Sequence, residues 1–201
     1  MAFKVTLGEI KELALAAKED IWEQARSKDR DVKIYLHWSA GRYDSVFSDY
    51  HINITGDGRI YATTNNFADI LAHTWLRNTG SFGLSLCCAY QATSQNIGPY
   101  PPTEIQVDFM GQVGCILADA WDLTIDKERV LTHGEAADNE DGLWIHEQYG
   151  PRTTCERWDL EYLMQESSQE FNPWAEDGSR GGDIIRGKML YYRNMGLSDK
   201  V

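Results

Sequence analysis

Apolar and polar residues alternate along the chain with two different periods. Residues 7–26 place Ile10, Leu13, Leu15, Ala17, Ile21 and Trp22 near one face at helical spacing, with charged residues between them. This predicts an amphipathic opening helix that packs on the domain. Residues 31–37 switch to period two. Val32, Ile34 and Leu36 face one way and Lys33, Tyr35 and His37 the other, so a strand ends in a histidine. Residues 50–55 form a second strand, Gly56-Asp57-Gly58 turns the chain, and residues 59–61 return. Residues 81–88 read as a buried strand.

After a loop rich in Gly, Pro and Tyr at 96–102, Thr103 caps a long helix with Ile105, Phe109, Val113, Ile116, Leu117 and Trp121 inward. Residues 130–133 make a short strand that again ends in histidine, and 134–157 read as irregular and polar. A helix is expected over 158–166, a linker from 171, and one further edge strand within 184–194. Strands alternating with helices predict an α/β fold with a mixed central sheet flanked by helices. The expected organisation is an N-terminal helix over 1–30, a central domain over 31–168 and a C-terminal extension over 169–201.

Thirty-one acidic against nineteen basic residues give a net charge of −12. A field of that sign disfavours nucleic acid and anionic membranes as partners. No apolar stretch is long enough to cross a bilayer, so no membrane insertion is expected. The first twenty residues are broken by charges and show no secretory core, which predicts synthesis in the cytoplasm without a signal peptide. The four cysteines (Cys87, Cys88, Cys115 and Cys155) contain no CxxC pair and read as buried and reduced.

The candidate chemistry lies in the two strand-end histidines, His37 and His133. Strand ends stand at the rim of a sheet, where ligands bind. A third acid or thiol beside them completes a three-ligand zinc site with one position open to water.

Five segments, taken in order from about Lys33 to Leu163, resemble the zinc-dependent N-acetylmuramoyl-L-alanine amidases, which share a fold with peptidoglycan recognition proteins and amidase-type phage lysozymes. They are IYLHWSAG, DYHINITGDGRIY, AHTWLRNTGSFGLSL, VLTHGEAAD and CERWDL. The resemblance implies a peptidoglycan-recognition-like single domain holding Zn2+ on His37, His133 and Asp159. The gap from His133 to Asp159 is longer than the family's, and Cys155 and His146 inside it are rival third ligands. Tyr50 matches a tyrosine beside the metal and reads otherwise as a half-buried strand aromatic. Arg157 stands where the family has lysine. Arginine holds its proton, so it can steady an oxyanion but not shuttle protons.

His73 and Asn78 match substrate-groove positions, and Glu135 a supporting acid. Ser85 replaces a catalytic glutamate of some relatives, and His51 reads as structural. Trp75, Trp144 and Tyr149 offer faces for sugars, or serve as packing. The implied reaction is hydrolysis of the lactyl-alanine amide of peptidoglycan or muropeptides by a monomer. The enzyme would act as a phage lysin, a recycling enzyme or a delivered effector. Two other readings stay open: a recognition module that binds peptidoglycan without cutting it, and a cysteine hydrolase built on Cys87 and His133.

Overall fold

The computed structural model describes residues 1–93, 96–144, 159–161, 163 and 180–201. Six strands form one mixed sheet: β1 (Phe3–Lys4), β2 (Lys33–Trp38), β3 (Ile52–Ile54), β4 (Ile60–Ala62), β5 (Ser81–Leu86) and β6 (Val130–Thr132), in the order β1-β4-β3-β5-β2-β6. The β3–β4 hairpin and the β1–β4 pair are antiparallel, while β3, β5, β2 and β6 run parallel. Gly58 closes the hairpin at φ +84°, a conformation that glycine adopts without steric cost.

The opening segment is two helices, α1 (Leu7–Ala16) and α2 (Lys18–Arg26), broken at Ala17. Thr6 and Glu9 form a capping box that fixes the start of α1. Across the break Ile10, Ala14, Ala17, Ile21 and Ala25 enter the core, but Leu15, expected on the same face, is exposed. The central strands are buried on both faces, as parallel strands between layers are. Ile34, Leu36, Leu84, Ile52 and Val130 join one large cluster with residues of α1, α2, α3 (Glu104–Ala120) and α5 (Gly181–Asn194). On the other side of β2 and β6, Tyr35 and Leu131 pack with Ala136 of α4 (His133–Ala137).

Thr103 caps α3 as expected, through a box with Gln106. Val107 and Met110 point inward, and Ile105, expected there, is exposed. Two further expectations are corrected. Residues 133–137, expected to continue a strand into an irregular stretch, form α4, because Thr132 and Glu135 make a third capping box. Residues 181–194, expected to hold an edge strand, form α5 instead. Ile185 and Met189 lie one helical turn apart and bury against α3, with the Met189 sulfur filling the space beside Gly114. Arg186 of α5 donates to the carbonyl of Val130 at 3.0 Å, so a side chain rather than a seventh strand satisfies that edge group of β6. The expected helix at 158–166 lies mostly outside the described residues. Residues 159–161 form a turn with Leu160 at φ +59°. No described helix is long and apolar enough to cross a membrane.

Candidate metal centre

Adjacent parallel strands carry the first two candidate ligands to the same level. Leu36 of β2 is in register with Thr132 of β6, so the next residues, His37 and His133, leave the sheet side by side. Their ring centroids are 4.9 Å apart. Asp159 arrives from the 159–161 turn. Its Oδ1 accepts the backbone N–H of Trp38 at 2.7 Å, and its carbonyl accepts the N–H of Gly134 at 3.3 Å. The remaining oxygen, Oδ2, stands 3.2 Å from His37 Nδ1 and 3.3 Å from His133 Nδ1.

A tetrahedral ion with bonds of about 2.0–2.1 Å separates its ligand atoms by roughly 3.3–3.4 Å. Two edges of that tetrahedron are therefore already set, and all three ligand atoms lie within 4.8 Å of one another. Among the described residues this is the one group of His, Cys, Asp and Glu side chains placed to hold a metal ion. The same distances serve hydrogen bonds in the metal-free protein, where each Nδ1 donates to Asp159.

The surroundings keep His37 and Asp159 in the forms that bind a cation. Burial pushes the His37 imidazolium pKa down to about 4, against the pull of Asp159, so the ring is neutral at pH 7. Burial works against the Asp159 carboxylate, but hydrogen bonds from His133 and His37 hold its pKa below the ordinary value. Two neutral imidazoles and one carboxylate leave a bound divalent cation with a net charge of +1, suited to polarising a carbonyl or water.

The other expected site residues divide into three groups. Tyr50 is half-buried with its ring centroid 5.0 Å from His37, beside the ligand cluster. His73 lies behind His37 rather than in an open groove. It is 6% exposed, its ring is edge-on to His37 at 5.4 Å, and it occupies space that any side chain at Gly83 would fill. Asn78 accepts the N–H of Thr74 at 2.8 Å and lines an open groove of about 690 Å³ with Ile70, Trp75, Leu76 and Trp144. Arg157, Cys155, His146 and Tyr149 lie outside the described residues.

Glu135 is fully buried. It accepts the N–H of Thr132 at 2.8 Å and takes both guanidinium nitrogens of Arg186 at 2.7 Å, fixing the segment that carries His133. Arg180 holds Glu161, two residues beyond Asp159, at 2.5 and 2.6 Å. Ser85 is buried in register between His37 and Asn53. His51 is buried, accepting from Gly83 N–H at 3.0 Å and donating to the Asp69 carbonyl at 2.7 Å. Cys87 and Cys88 are buried, and burial pushes the Cys87 thiol up to about 12, which opposes a thiolate nucleophile.

Sequence reasoning missed Thr74, Arg180 and Arg186. Thr74 has a hydroxyl 3.4 Å from His37 Nε2 and 2.9 Å from His73 Nδ1. The loop bearing it is anchored by Arg77, whose guanidinium grips the buried Asp141 at 2.5 and 3.0 Å. The Thr-Glu spacing at 132–135 was the available signal for the cap under His133, whereas nothing local pointed to Arg186. Comparison of the chain with family models, curated proteins and solved structures finds no match.

Proposed function

We propose that the protein is a zinc-dependent amidase that hydrolyses the bond between the lactyl group of N-acetylmuramic acid and L-alanine of the peptidoglycan stem peptide. The observation that carries this reading is the convergence of His37, His133 and Asp159 on one point. The five-segment resemblance supports the same ligand set and an amidase-like fold. The third ligand favours catalysis over recognition, because a module that only binds has no need of a complete ligand set.

A zinc ion held there supplies a Lewis acid and makes water nucleophilic near pH 7. The protein does the rest. Asp159, pinned by Trp38 N–H, presents its other oxygen to both Nδ1 atoms at ligand spacing. Tyr50 offers a hydroxyl to the oxyanion that forms at the scissile carbonyl, with Arg157 as the second donor. A well-placed donor of this kind is worth about 3–4 kcal/mol. Peptidoglycan or a free muropeptide is the substrate, and the wall of a bacterium, reached after release or delivery, is one place of action.

The test is mass spectrometry of peptidoglycan digested with the zinc-loaded protein. Free lactyl ends and free N-terminal alanine are expected, and His37→Ala abolishes both. Intact muropeptides that stay bound to the protein overturn the amidase reading in favour of a recognition module.

A further inference from the structure

The open groove of about 690 Å³ that Asn78 lines contains none of the three candidate ligands, yet it begins beside them. Two of its lining residues, Trp75 and Leu76, directly follow Thr74, whose hydroxyl is 3.4 Å from His37 Nε2. Two others, Lys28 and Arg30, come from the segment that leads from α2 into β2. His37 stands near the opposite end of that strand, about 13 Å from Lys33 at 3.3 Å per residue.

Two features set this groove apart from ordinary surface. The first is exposed apolar area. Ile70, Trp75, Leu76 and Trp144 are each more than half exposed, and all four line it. Apolar groups gathered in an open cleft mark a binding surface. Leu76 is held at φ +57°, a backbone conformation that strains a leucine, without burying its side chain in return. The second feature is charge. The lining holds two cations and no carboxylate, in a chain with a net charge of −12. Among the described residues neither cation has a carboxylate partner; Arg30 Nη2 is fixed by the carbonyls of Arg77 and Thr79, which leave its charge uncancelled.

This combination selects a ligand. The flat face of a pyranose presents C–H groups to the negative face of an indole, while its hydroxyl and acetamide groups meet polar donors at the ring edge. Unpaired cations select carboxylates. Hydrolysis of the lactyl-alanine amide adds water across the C–N bond, leaving a carboxylate on the lactyl group and an ammonium on alanine. The uncut lactyl amide is neutral, so the glycan gains one anion for every bond cut. A peptide also carries carboxylates, but it offers no saturated ring face to two indoles.

We propose that the groove is a product site for an amino-sugar strand freed of its peptides, with Trp75 and Trp144 against sugar faces and Lys28 and Arg30 on lactyl carboxylates. The inference rests on the amidase reading above. It gives the protein a hold on a strand that it has already cut.

The experiment is titration calorimetry of the full-length protein in excess chelator, where metal-assisted hydrolysis does not run. The probes are soluble glycan strands of equal length: one stripped of peptides, one stripped and then converted to lactyl methylamides, and one still carrying its peptides. The stripped strand is expected to bind about 5–25-fold more tightly than its methylamide, as two exposed ion pairs allow. That preference disappears in about 1 M salt. Lys28→Glu, at an exposed position, brings the two cationic positions to zero net charge. It removes the preference and leaves binding of the methylamide strand unchanged. Trp75→Ala weakens both strands about 3–10-fold. Equal binding of stripped and methylamide strands by the unaltered protein, or no binding of either, overturns the proposal. Tightest binding of the peptide-bearing strand overturns it in favour of a peptide site. If the groove fails while the zinc-loaded protein still frees N-terminal alanine from peptidoglycan, the amidase reading stands alone. If stripped strands bind and no alanine is ever freed, the amidase reading falls, and the product role falls with it.

Discussion

Replacing Asp159 with asparagine isolates the third ligand with the least change in shape. In the native turn the two carboxylate oxygens have separate tasks, one accepting from Trp38 N–H and the other facing both Nδ1 atoms. An amide cannot do both. If its oxygen takes the Trp38 N–H, its NH2 meets the histidines and repels a cation; turned over, it sets NH2 against N–H. Zinc held by four ligands in small domains is bound with about 10–16 kcal/mol. One ligand of such a set is thus worth roughly 3–4 kcal/mol, or a factor of about 10²–10³ in Kd.

That loss is visible as stability. At a zinc concentration of about 100 times the native Kd, binding stabilises the native fold by ~2.7 kcal/mol. With Kd raised 100-fold or more, the same zinc gives at most ~0.4 kcal/mol by the same relation. For a chain of 201 residues, where 1 kcal/mol moves Tm by about 2–4 °C, the zinc-induced rise falls from roughly 5–11 °C to about 1 °C. Scanning calorimetry with and without zinc measures it. A folded Asp159→Asn protein that keeps the full zinc-induced rise refutes Asp159 as a ligand and returns the choice to Cys155 and His146.

Three more outcomes are expected. Arg186→Met leaves Glu135 buried without its cation, which costs about 3–5 kcal/mol in urea unfolding, and adding Glu135→Gln recovers part of the loss. His51 is held neutral by burial, its pKa lowered to about 4. The unfolded chain therefore binds a proton between about pH 6.5 and 4 that the folded one refuses. This site's contribution to stability falls as pH drops through that window, by ~3 kcal/mol in total at 1.36 kcal/mol per pH unit, and His51→Asn has a correspondingly flatter Tm–pH curve. Cys87→Ala retains peptidoglycan hydrolysis, while a chelator removes it and zinc returns it; a thiol-dependent enzyme shows the opposite pattern.

The parts of the fold that could be read from sequence are those where local signals and burial agree. The alternation in residues 31–37, the Gly-Asp-Gly turn and the Thr103 cap each have one dominant local cause, and β2, the β3–β4 hairpin and α3 follow them. The strand-end positions of His37 and His133 belong to the same class, but their adjacency does not: the sequence reading brought them from separate edges of the sheet, whereas β2 and β6 pair directly. Helix α5 was misread because Gly181, Gly182, Gly187 and two tyrosines weaken its helical propensity, and burial of Ile185, Arg186 and Met189 overrides it. The Ile185–Met189 spacing was the available signal. Asp159 lies twenty-six residues beyond His133, so only the resemblance, and not spacing, pointed to it. Thr74 was invisible because its role depends on a loop closed by Arg77 and Asp141, a contact across sixty-four residues.

The two guanidinium clamps, Arg180 just before α5 and Arg186 within it, also come late in the chain. His37, His133 and Asp159 all leave the ribosome before Arg180 and Arg186 do. Until those arginines emerge, the carboxylates of Glu135 and Glu161 that flank two of the ligands have no counter-charge from α5 and no reason to bury. A chain that ends short of α5 therefore carries His37, His133 and Asp159 without the ion pairs that align their segments, and a metal held by the three would bind once α5 has packed.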